Sequence, residues 1–178
     1  ISQVFNFKYE KPERIIELMV QHIKRLKRRT DILETSQFLA GISFLDAIYQ
    51  SGGFGVLTGE SGLGKSQITE YYAVNNQNVT YCSITPSMNP KESLLAVADA
   101  VAASLPKSAT LHDIETSIKK RLRSRPRTIL IDEADLLKER VANILRAIWD
   151  DGTSTIVLAG LPILNDILIG GTKNTVYV

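Results

Sequence analysis

Short apolar runs alternate with longer amphipathic segments along most of this chain. Four runs are mostly apolar or β-branched, which is typical of buried strands, and they cover 54–58, 79–83, 128–131 and 155–159. Apolar residues at helical spacing predict helices at 65–73, 91–105, 111–123 and 136–150, and a short one opened by Pro162. This alternation predicts an α/β fold in which helices flank a parallel sheet.

Two more helices are predicted before the first strand. One covers 11–29, where apolar residues recur on one side and basic residues lie on the other. The second covers 36–50, with Ser36 as its N-cap. We therefore expect an N-terminal basic helical extension over 1–35 and an α/β core over 36–178.

Composition narrows the class of protein. The chain has 178 residues, of which 44% are hydrophobic and 22% are charged, so disorder is excluded for most of its length. No uncharged apolar run approaches the roughly 18–20 residues of a membrane-spanning helix. The one cysteine, Cys82, excludes an intramolecular disulfide and a cysteine-based zinc site and favours a reducing compartment. We expect a cytoplasmic protein with no membrane partner.

Positive charge is concentrated, although the net charge is only +2. Five of six positions are basic in 24–29, and six of nine are basic in 119–127. Such a cluster either binds a polyanion or keeps a helix end solvated, and each cluster alone leaves both interpretations open.

One segment, 59–66, carries the strongest chemical signature and is called the phosphate loop below. Its sequence, GESGLGKS, fits G-x-x-x-x-G-K-[ST], and an apolar strand precedes it while a helix follows. The glycines let backbone N–H groups surround phosphate oxygens, and the helix N-terminus adds positive charge. Lys65 can reach the β- and γ-phosphates, and Ser66 can ligate Mg²⁺. The expected nucleotide-binding residues are Gly59, Glu60, Ser61, Gly62, Leu63, Gly64, Lys65, Ser66 and Gln67.

Two carboxylates, Asp132 and Glu133, follow the strand predicted at 128–131. Ligands of open α/β sheets bind at the carboxyl ends of the strands, so Asp132 is expected to hold Mg²⁺, usually through water. Glu133 is expected to be catalytic together with Lys65, by orienting or deprotonating the attacking water. The alternative is that Glu133 is only an acidic residue at the start of a helix.

A third position of interest follows the strand at 155–159. In ATPases that have an extra strand between the two phosphate motifs, a polar side chain here senses the γ-phosphate. Leu161 has no polar side chain, so either Thr153, Ser154 or Asn165 substitutes for this sensor, or the sensing step is weak.

The two phosphate motifs, with a strand between them at 79–83, resemble the AAA+ branch of the P-loop NTPases. Within that branch, the chain resembles the ATPase regulators of DNA transposition, the phage Mu B, TnsC and TniB group. The resemblance rests on RTDILET at 29–35, ITPSM at 84–88, DEADLL at 132–137 and VLAG at 157–160, besides the phosphate loop.

This resemblance implies an ATPase that uses ATP and Mg²⁺ and assembles on double-stranded DNA as a helical filament or ring. Such a bacterial or phage-encoded protein would recruit or activate a transposase and work with target-selection proteins. The resemblance further implies a sheet order of 5-1-4-3-2, with nucleotide between neighbouring subunits. It makes 36–178 an AAA+ core that is incomplete at its C-terminus, because a small helical lid normally follows, and the chain is expected to be a fragment.

The resemblance also implies a cation that acts in trans after the fourth strand. Residues 160–178 contain no arginine, and Lys173 is the only cation there. Arg140 and Arg146 are the other candidates for this role.

DNA binding without a sequence-reading motif predicts contacts to the phosphate backbone. Lys91 begins a predicted helix, so it can bring a charge and a helix N-terminus to one phosphate. The further candidates are Lys119, Lys120, Arg121 and Arg123, with the cluster at 24–29 as the alternative. Two other functions stay open: a helicase loader or origin-type AAA+ ATPase, and a weakly hydrolysing nucleotide-dependent switch.

Overall fold

The structure is a computed structural model that describes residues 35–169. The helix predicted at 11–29, the basic cluster at 24–29 and most of the motif at 29–35 lie outside the described residues, and so does Lys173. Four strands are present: β1 (Phe54–Thr58), β2 (Val79–Ser83), β3 (Thr128–Asp132) and β4 (Thr155–Gly160). The helices are α1 (Ser36–Ser51), α2 (Lys65–Asn75), α3 (Pro90–Ala100), α4 (Leu111–Ser124), α5 (Glu139–Trp149) and α6 (Leu164–Ile169), with a 3₁₀ turn at Ala134–Leu136.

The four strands form one parallel sheet in the order β1-β4-β3-β2. This arrangement confirms the predicted P-loop α/β fold, and its order agrees with the 1-4-3-2 part of the order implied by the resemblance. Because the strands are parallel, they all end at one edge of the sheet, called the carboxyl edge, where Thr58 pairs with Gly160 and Ser83 with Asp132. They all begin at the opposite amino edge.

The two central strands, β3 and β4, are buried along their whole length. Side chains alternate between the faces of a strand, so Ile131 and Leu158 face the cluster formed with α3, α4 and α5. Leu130 and Val157 point to the other face and are equally buried. Burial of each such side chain contributes about 1.5–3 kcal/mol, which makes the sheet the rigid support of its carboxyl edge.

Two predicted helix boundaries differ from the structure by three residues or more. Helix α3 ends at Ala100 instead of residue 105, because Ala102 adopts a left-handed φ of 55°. The N–H groups of Ala102 and Ala103 then donate to the carbonyls of Asp99 and Ala98, which closes the helix as a Schellman motif. Helix α5 begins at Glu139 instead of 136, because the chain first makes the 3₁₀ turn.

The predicted N-cap of α1 is also wrong by one residue. Thr35, not Ser36, holds the cap position, and its Oγ1 accepts a hydrogen bond of 3.1 Å from the Phe38 N–H. Within residues 35–169, every helix is too short or too polar to cross a membrane.

Candidate nucleotide-binding site

The phosphate loop leaves β1 at the carboxyl edge and enters α2 at Lys65. Gly62 and Gly64 adopt left-handed φ angles of 84° and 80°. Glycine takes this conformation at little cost, since it lacks the Cβ that strains other residues there. Residues in alternating right- and left-handed conformations turn successive N–H groups toward one point, which is the geometry that binds an anion.

The start of α2 has no side-chain cap. Gly64 occupies the N-cap position, and no side chain within residues 35–169 accepts a hydrogen bond from the first turn in a capping interaction. The first N–H groups of a helix have no partner inside the helix, so they remain available here to an external acceptor. Ser66 and Gln67 in this turn are exposed. An anion at this point would also meet the positive end of the helix dipole.

Lys65 lies folded back over the phosphate loop. Its Nζ donates to the carbonyl oxygen of Gly59 at 2.6 Å and to that of Glu60 at 2.8 Å. Both acceptors are neutral, whereas a phosphate oxygen carries charge and makes a stronger hydrogen bond with an ammonium group. A phosphate in the loop would therefore compete well for one of these positions.

Asp132 is the last residue of β3, and its side chain is held by two hydrogen bonds. Its Oδ1 accepts from the Glu133 N–H at 3.0 Å, and its Oδ2 accepts from the Tyr81 hydroxyl at 3.1 Å. The residue is only 3% exposed. Burial, and then the negative charge of Asp132, raises the pKa of Tyr81 well above its ordinary value, so the tyrosine stays a hydrogen-bond donor at neutral pH.

The donor set at the carboxyl edge suits Mg²⁺. This ion is typically bound by one or two carboxylates, water and substrate phosphates, and Asp132 and the Ser66 hydroxyl offer such oxygen ligands. Among the residues that the structure describes, no group of three or more His, Cys, Asp or Glu could hold a metal ion by itself. A magnesium ion here would accordingly depend on the phosphates that accompany it.

Glu133 has an unusual backbone. Its φ of 52° and ψ of 37° lie in the left-handed region, which costs a non-glycine residue roughly 1–2 kcal/mol. Its side chain is exposed and makes no capping hydrogen bond with the 3₁₀ turn in the described chain. Glu133 does begin this short turn, with its carbonyl accepting from the Leu136 N–H at 3.1 Å, but its side chain does not cap the turn, so both interpretations of the carboxylate stay open. Backbone strain of this kind clusters at functional sites.

Asp135 joins the 3₁₀ turn after Glu133 to the end of β4, a connection that the sequence did not reveal. Its Oδ1 accepts a hydrogen bond of 2.9 Å from the Leu161 N–H. The approach is so close that a Cβ on Gly160 would lie 2.5 Å from this oxygen. The Gly160 carbonyl in turn accepts from the Gly59 N–H at 3.3 Å. One chain of contacts thus links the phosphate loop, the end of β4 and the turn that carries Glu133.

The structure corrects the expected sensor position. Thr153 and Ser154 precede β4, so they lie at the amino edge, opposite the phosphate loop, and neither can sense a phosphate there. Asn165 is exposed on α6, beyond the carboxyl end of β4, and stays a candidate. Leu161 contributes its backbone N–H, which Asp135 already accepts.

The candidate cations for a trans-acting role occupy different places. Arg140 is exposed in the first turn of α5, and this helix starts near the carboxyl edge because it returns antiparallel to β3 and β4. Arg146 lies in the last turn, is partly buried, and donates through Nη2 to the Leu168 carbonyl at 3.4 Å. Of the two, Arg140 is the more exposed.

Most of the cations proposed for DNA binding on α4 are engaged within the fold. Lys119 forms an ion pair of 2.6 Å with Glu115, and Arg121 donates through Nε to the Val101 carbonyl at 3.0 Å. Arg123 donates through Nε to Asp151 at 2.8 Å. This pair holds the pKa of Asp151 below its ordinary value. These contacts favour a structural role for part of the cluster.

Lys120 and Lys91 have exposed side chains. Lys91 begins α3, but Asn89 Oδ1 already accepts from the N–H groups of Lys91 and Glu92 at 2.9 and 3.0 Å. The helix N-terminus therefore has fewer free donors for a phosphate than the sequence suggested, while the charge of Lys91 remains available.

Comparison with known proteins places this site in context. Residues 48–168 match the family model described as an AAA domain. The chain is 24% identical to the "ATP-dependent target DNA activator B" of Escherichia phage D108, over 99% of this chain and 59% of that protein. The similarity confirms the resemblance to transposition regulators, and the chain spans about three-fifths of the relative's length.

Solved structures show the same fold. The Aeropyrum pernix Orc1 protein, solved in complex with DNA, matches 75% of this chain and 40% of its own with a TM-score of 0.56 and 17% identity. Drosophila ORC, bound to AT-rich DNA and Cdc6, matches 93% of this chain and 58% of its own with a TM-score of 0.54 and 13% identity. Since the family model covers well over half of the sequence, this chain belongs to the AAA domain family.

Proposed function

We propose that this chain binds and hydrolyses ATP, assembles on double-stranded DNA and regulates a transposase. The observation that carries the proposal is the joint placement of an uncapped helix start, Lys65 and the Asp132–Glu133 pair at one edge of the sheet. The similarity to a protein named as an ATP-dependent target DNA activator supports the choice among AAA functions. Membership of the AAA family implies nucleotide binding and suggests hydrolysis.

Nucleotide binding follows from the phosphate loop. Its N–H groups and the start of α2 bind the phosphates, and Lys65 turns from the Gly59 and Glu60 carbonyls toward a phosphate oxygen. Ser66 and Asp132 would hold Mg²⁺, which neutralises phosphate charge when it is bound. No residue of the loop reads the base, so adenine is implied by the resemblance alone.

Hydrolysis is assigned to Glu133. Its exposed carboxylate follows Asp132 directly and is free of capping interactions, so it can accept a proton from a water or orient that water. Asp135 is a positioning residue, because it fixes the turn that carries Glu133 against the end of β4. Arg140 of a neighbouring subunit would supply positive charge to the transferred phosphoryl group.

DNA binding is assigned to backbone contacts from the exposed lysines Lys91 and Lys120. Each contact of this kind releases counterions from the duplex, so affinity should fall steeply as salt rises. Assembly of several subunits along the duplex multiplies these contacts and creates the surface that a transposase and target-selection proteins would bind.

The test is ATP turnover with and without duplex DNA of unrelated sequences. We expect every duplex to stimulate turnover, and we expect Glu133→Gln to bind ATP normally but to hydrolyse it roughly 10²–10⁴-fold more slowly, which is the usual contribution of a general base. Electron microscopy of Glu133→Gln with ATP and DNA should show stable filaments or rings. Normal hydrolysis by this variant would refute the catalytic assignment.

A second candidate, a weakly hydrolysing nucleotide switch, is favoured by one observation. Leu161 provides no polar side chain, and Asp135 already accepts from its N–H. Tight nucleotide binding with no turnover, with or without DNA, would select this candidate. Stimulation by one origin sequence only would instead select an origin-type ATPase.

A further inference from the structure

A cavity of about 310 Å³ lies at the amino edge of the sheet, opposite the phosphate loop. It is bounded by the starts of β3 and β4 and by the turns before them, and Arg127, Thr153 and Ser154 contribute to its wall. Tyr49 and Asn78 line it from α1 and from the turn before β2. The proposed nucleotide chemistry uses no part of it.

Three buried polar atoms of the described chain have no hydrogen-bond partner, and all three belong to residues of this cavity. They are Arg127 Nε, Thr153 Oγ1 and Ser154 Oγ. Ser154 is only 8% exposed. Buried polar atoms in folded proteins almost always have partners, so the unpartnered Arg127 Nε and Ser154 Oγ at one cavity indicate an occupant. The Thr153 side chain is close enough to Asp151 to help lower the pKa of that carboxyl, so Thr153 is a weaker sign of an occupant than the other two residues.

The chemistry of the wall selects an anion. Arg127 is its one charged residue, and the described lining includes no Asp or Glu. Arg127 is partly exposed and only its Nε is buried, so water would suffice for the hydroxyl, whereas an anion would pair with the guanidinium charge as well. The nearby carboxylate of Asp151 is already paired with Arg123. A tetrahedral oxyanion can instead accept from the guanidinium and from a serine hydroxyl at once.

We propose that this cavity is a phosphate-binding site and that it receives a backbone phosphate of duplex DNA. Arg125, exposed at the end of α4, lies two residues from Arg127 and adds positive charge close by along the chain. The duplex assignment rests on the proposed DNA-binding function, whereas the phosphate chemistry does not. The DNA would then contact the edge of the sheet opposite the nucleotide, so one subunit could hold both ligands at once.

The first arm of the test measures DNA affinity against salt concentration for Arg127→Gln, for Ser154→Ala and for the control Lys107→Gln. Lys107 is an exposed lysine of the loop before α4 and is not part of the cavity wall, so its variant removes the same charge from outside the site. We expect Arg127→Gln to reduce the slope of log K against log[salt] by about 0.9, the value for one phosphate contact. Ser154→Ala should lower affinity with an unchanged slope, and Lys107→Gln should match the wild type.

The second arm titrates inorganic phosphate into the isotopically labelled protein saturated with MgADP, so that the phosphate loop is filled. We expect saturable shifts of the amide signals of residues 152–155, and their loss in Arg127→Gln and Ser154→Ala. Amide spectra of the variants will show whether each one folds, and Ser154→Ala changes the wall least.

The outcomes separate the possible sources. If the variants lose DNA affinity in the first arm and the phosphate-induced amide shifts in the second, the cavity is a site for DNA phosphate. If only the phosphate-induced amide shifts are lost and DNA affinity is unchanged, the cavity is a site for free phosphate and the DNA assignment is refuted. No effect in either arm overturns the proposal and leaves the cavity to water. If the wild type binds no DNA at any salt concentration, the proposed function fails, while the phosphate titration still decides the cavity.

Discussion

Helices α3 and α4 begin with side-chain caps, whereas α2 begins without one. At α3, Asn89 Oδ1 accepts from two backbone N–H groups, and Glu92 accepts from the Asn89 N–H at 2.8 Å. At α4, Thr110 and Asp113 form the same reciprocal capping box. At α2, glycine takes the cap position in a left-handed conformation and no side chain caps the first turn within the described chain.

The caps of α3 and α4 stabilise the fold, whereas the first N–H groups of α2 have no capping side chain. A side-chain cap contributes about 1 kcal/mol, and α2 does without it. Helix α5 also begins without a side-chain cap, at Lys138, so what distinguishes the start of α2 is the left-handed glycine at its cap position. Stability is given up where an external anion takes the place of the capping oxygen.

The largest expected effect comes from removing the charge at the open helix start. Lys65→Ala should weaken ATP binding on the order of 100-fold, because hydrogen bonds to a charged group contribute about 1.5–3 kcal/mol each. Lys91→Ala is the matched control, since it removes the same side chain from the start of the capped helix α3. Calorimetric titration of both variants with ATP checks the prediction, and equal affinities would show that the two helix starts do not differ in function.

The next largest effect is expected at Asp135, which holds the turn that carries Glu133 against the end of β4. Asp135→Ala should leave the Leu161 N–H without its acceptor and lower the free energy of unfolding by about 1–3 kcal/mol. It should also slow ATP hydrolysis, because the turn with Glu133 loses its anchor. Asp166→Ala, an exposed aspartate on α6, is the control in urea unfolding and in turnover assays. An unchanged turnover in Asp135→Ala would remove its positioning role.

A smaller effect is expected at a capped start. Asn89→Ala should lower the free energy of unfolding by about 1 kcal/mol and leave ATP affinity unchanged. Ser36→Ala is a useful control, because Ser36 follows the true cap, Thr35, and should have little effect. Urea titrations of both variants measure the difference. A loss of ATP binding in Asn89→Ala would mean that the capped and open helix starts are coupled.

The smallest expected effect is a change in how the free energy of unfolding depends on pH. Hydrogen bonds from the Thr110 backbone and side chain hold the pKa of Asp113 below its ordinary value of 3.8. The ionised cap therefore contributes stability above that value, and the contribution is lost as the pH falls through the lower pKa of the folded state. Unfolding curves between about pH 5 and 2 should be less dependent on pH in Asp113→Asn than in the wild type. Identical pH profiles would show that the cap does not titrate.

Much of the fold could be predicted because its strands are read directly from the sequence. The strand β3 is buried at every position, so Thr128–Ile131 had to be apolar or β-branched. The phosphate loop was equally readable, since only glycines suit positions such as Gly62 and Gly64. The contact between Asp135 and the end of β4 could not be predicted, because a single hydrogen bond to a backbone N–H imposes no pattern on the sequence. The glycine of the VLAG motif is the one residue type that reflects this close approach.

Other features depend on tertiary structure and were out of reach. Ala102 ends α3 in a left-handed conformation that is usually taken by glycine or asparagine, so the sequence carries no signal for the end of this helix. By contrast, the wrong edge assigned to Thr153 and Ser154 could have been avoided, because both precede the strand predicted at 155–159 and parallel strands begin at the edge opposite the phosphate loop. Their position is fixed by the start of β4 at Thr155.

The insertion of β4 between β1 and β3 has a consequence for how the protein folds. Phe54 pairs with Ile156, roughly a hundred positions later, so β1 is joined to the rest of the sheet through β4. Pairings of such long range form slowly, because the loop between them must close first. Strand β1 therefore joins the sheet only when β4, the last described strand, is in place, and nucleotide affinity should report completed folding during synthesis.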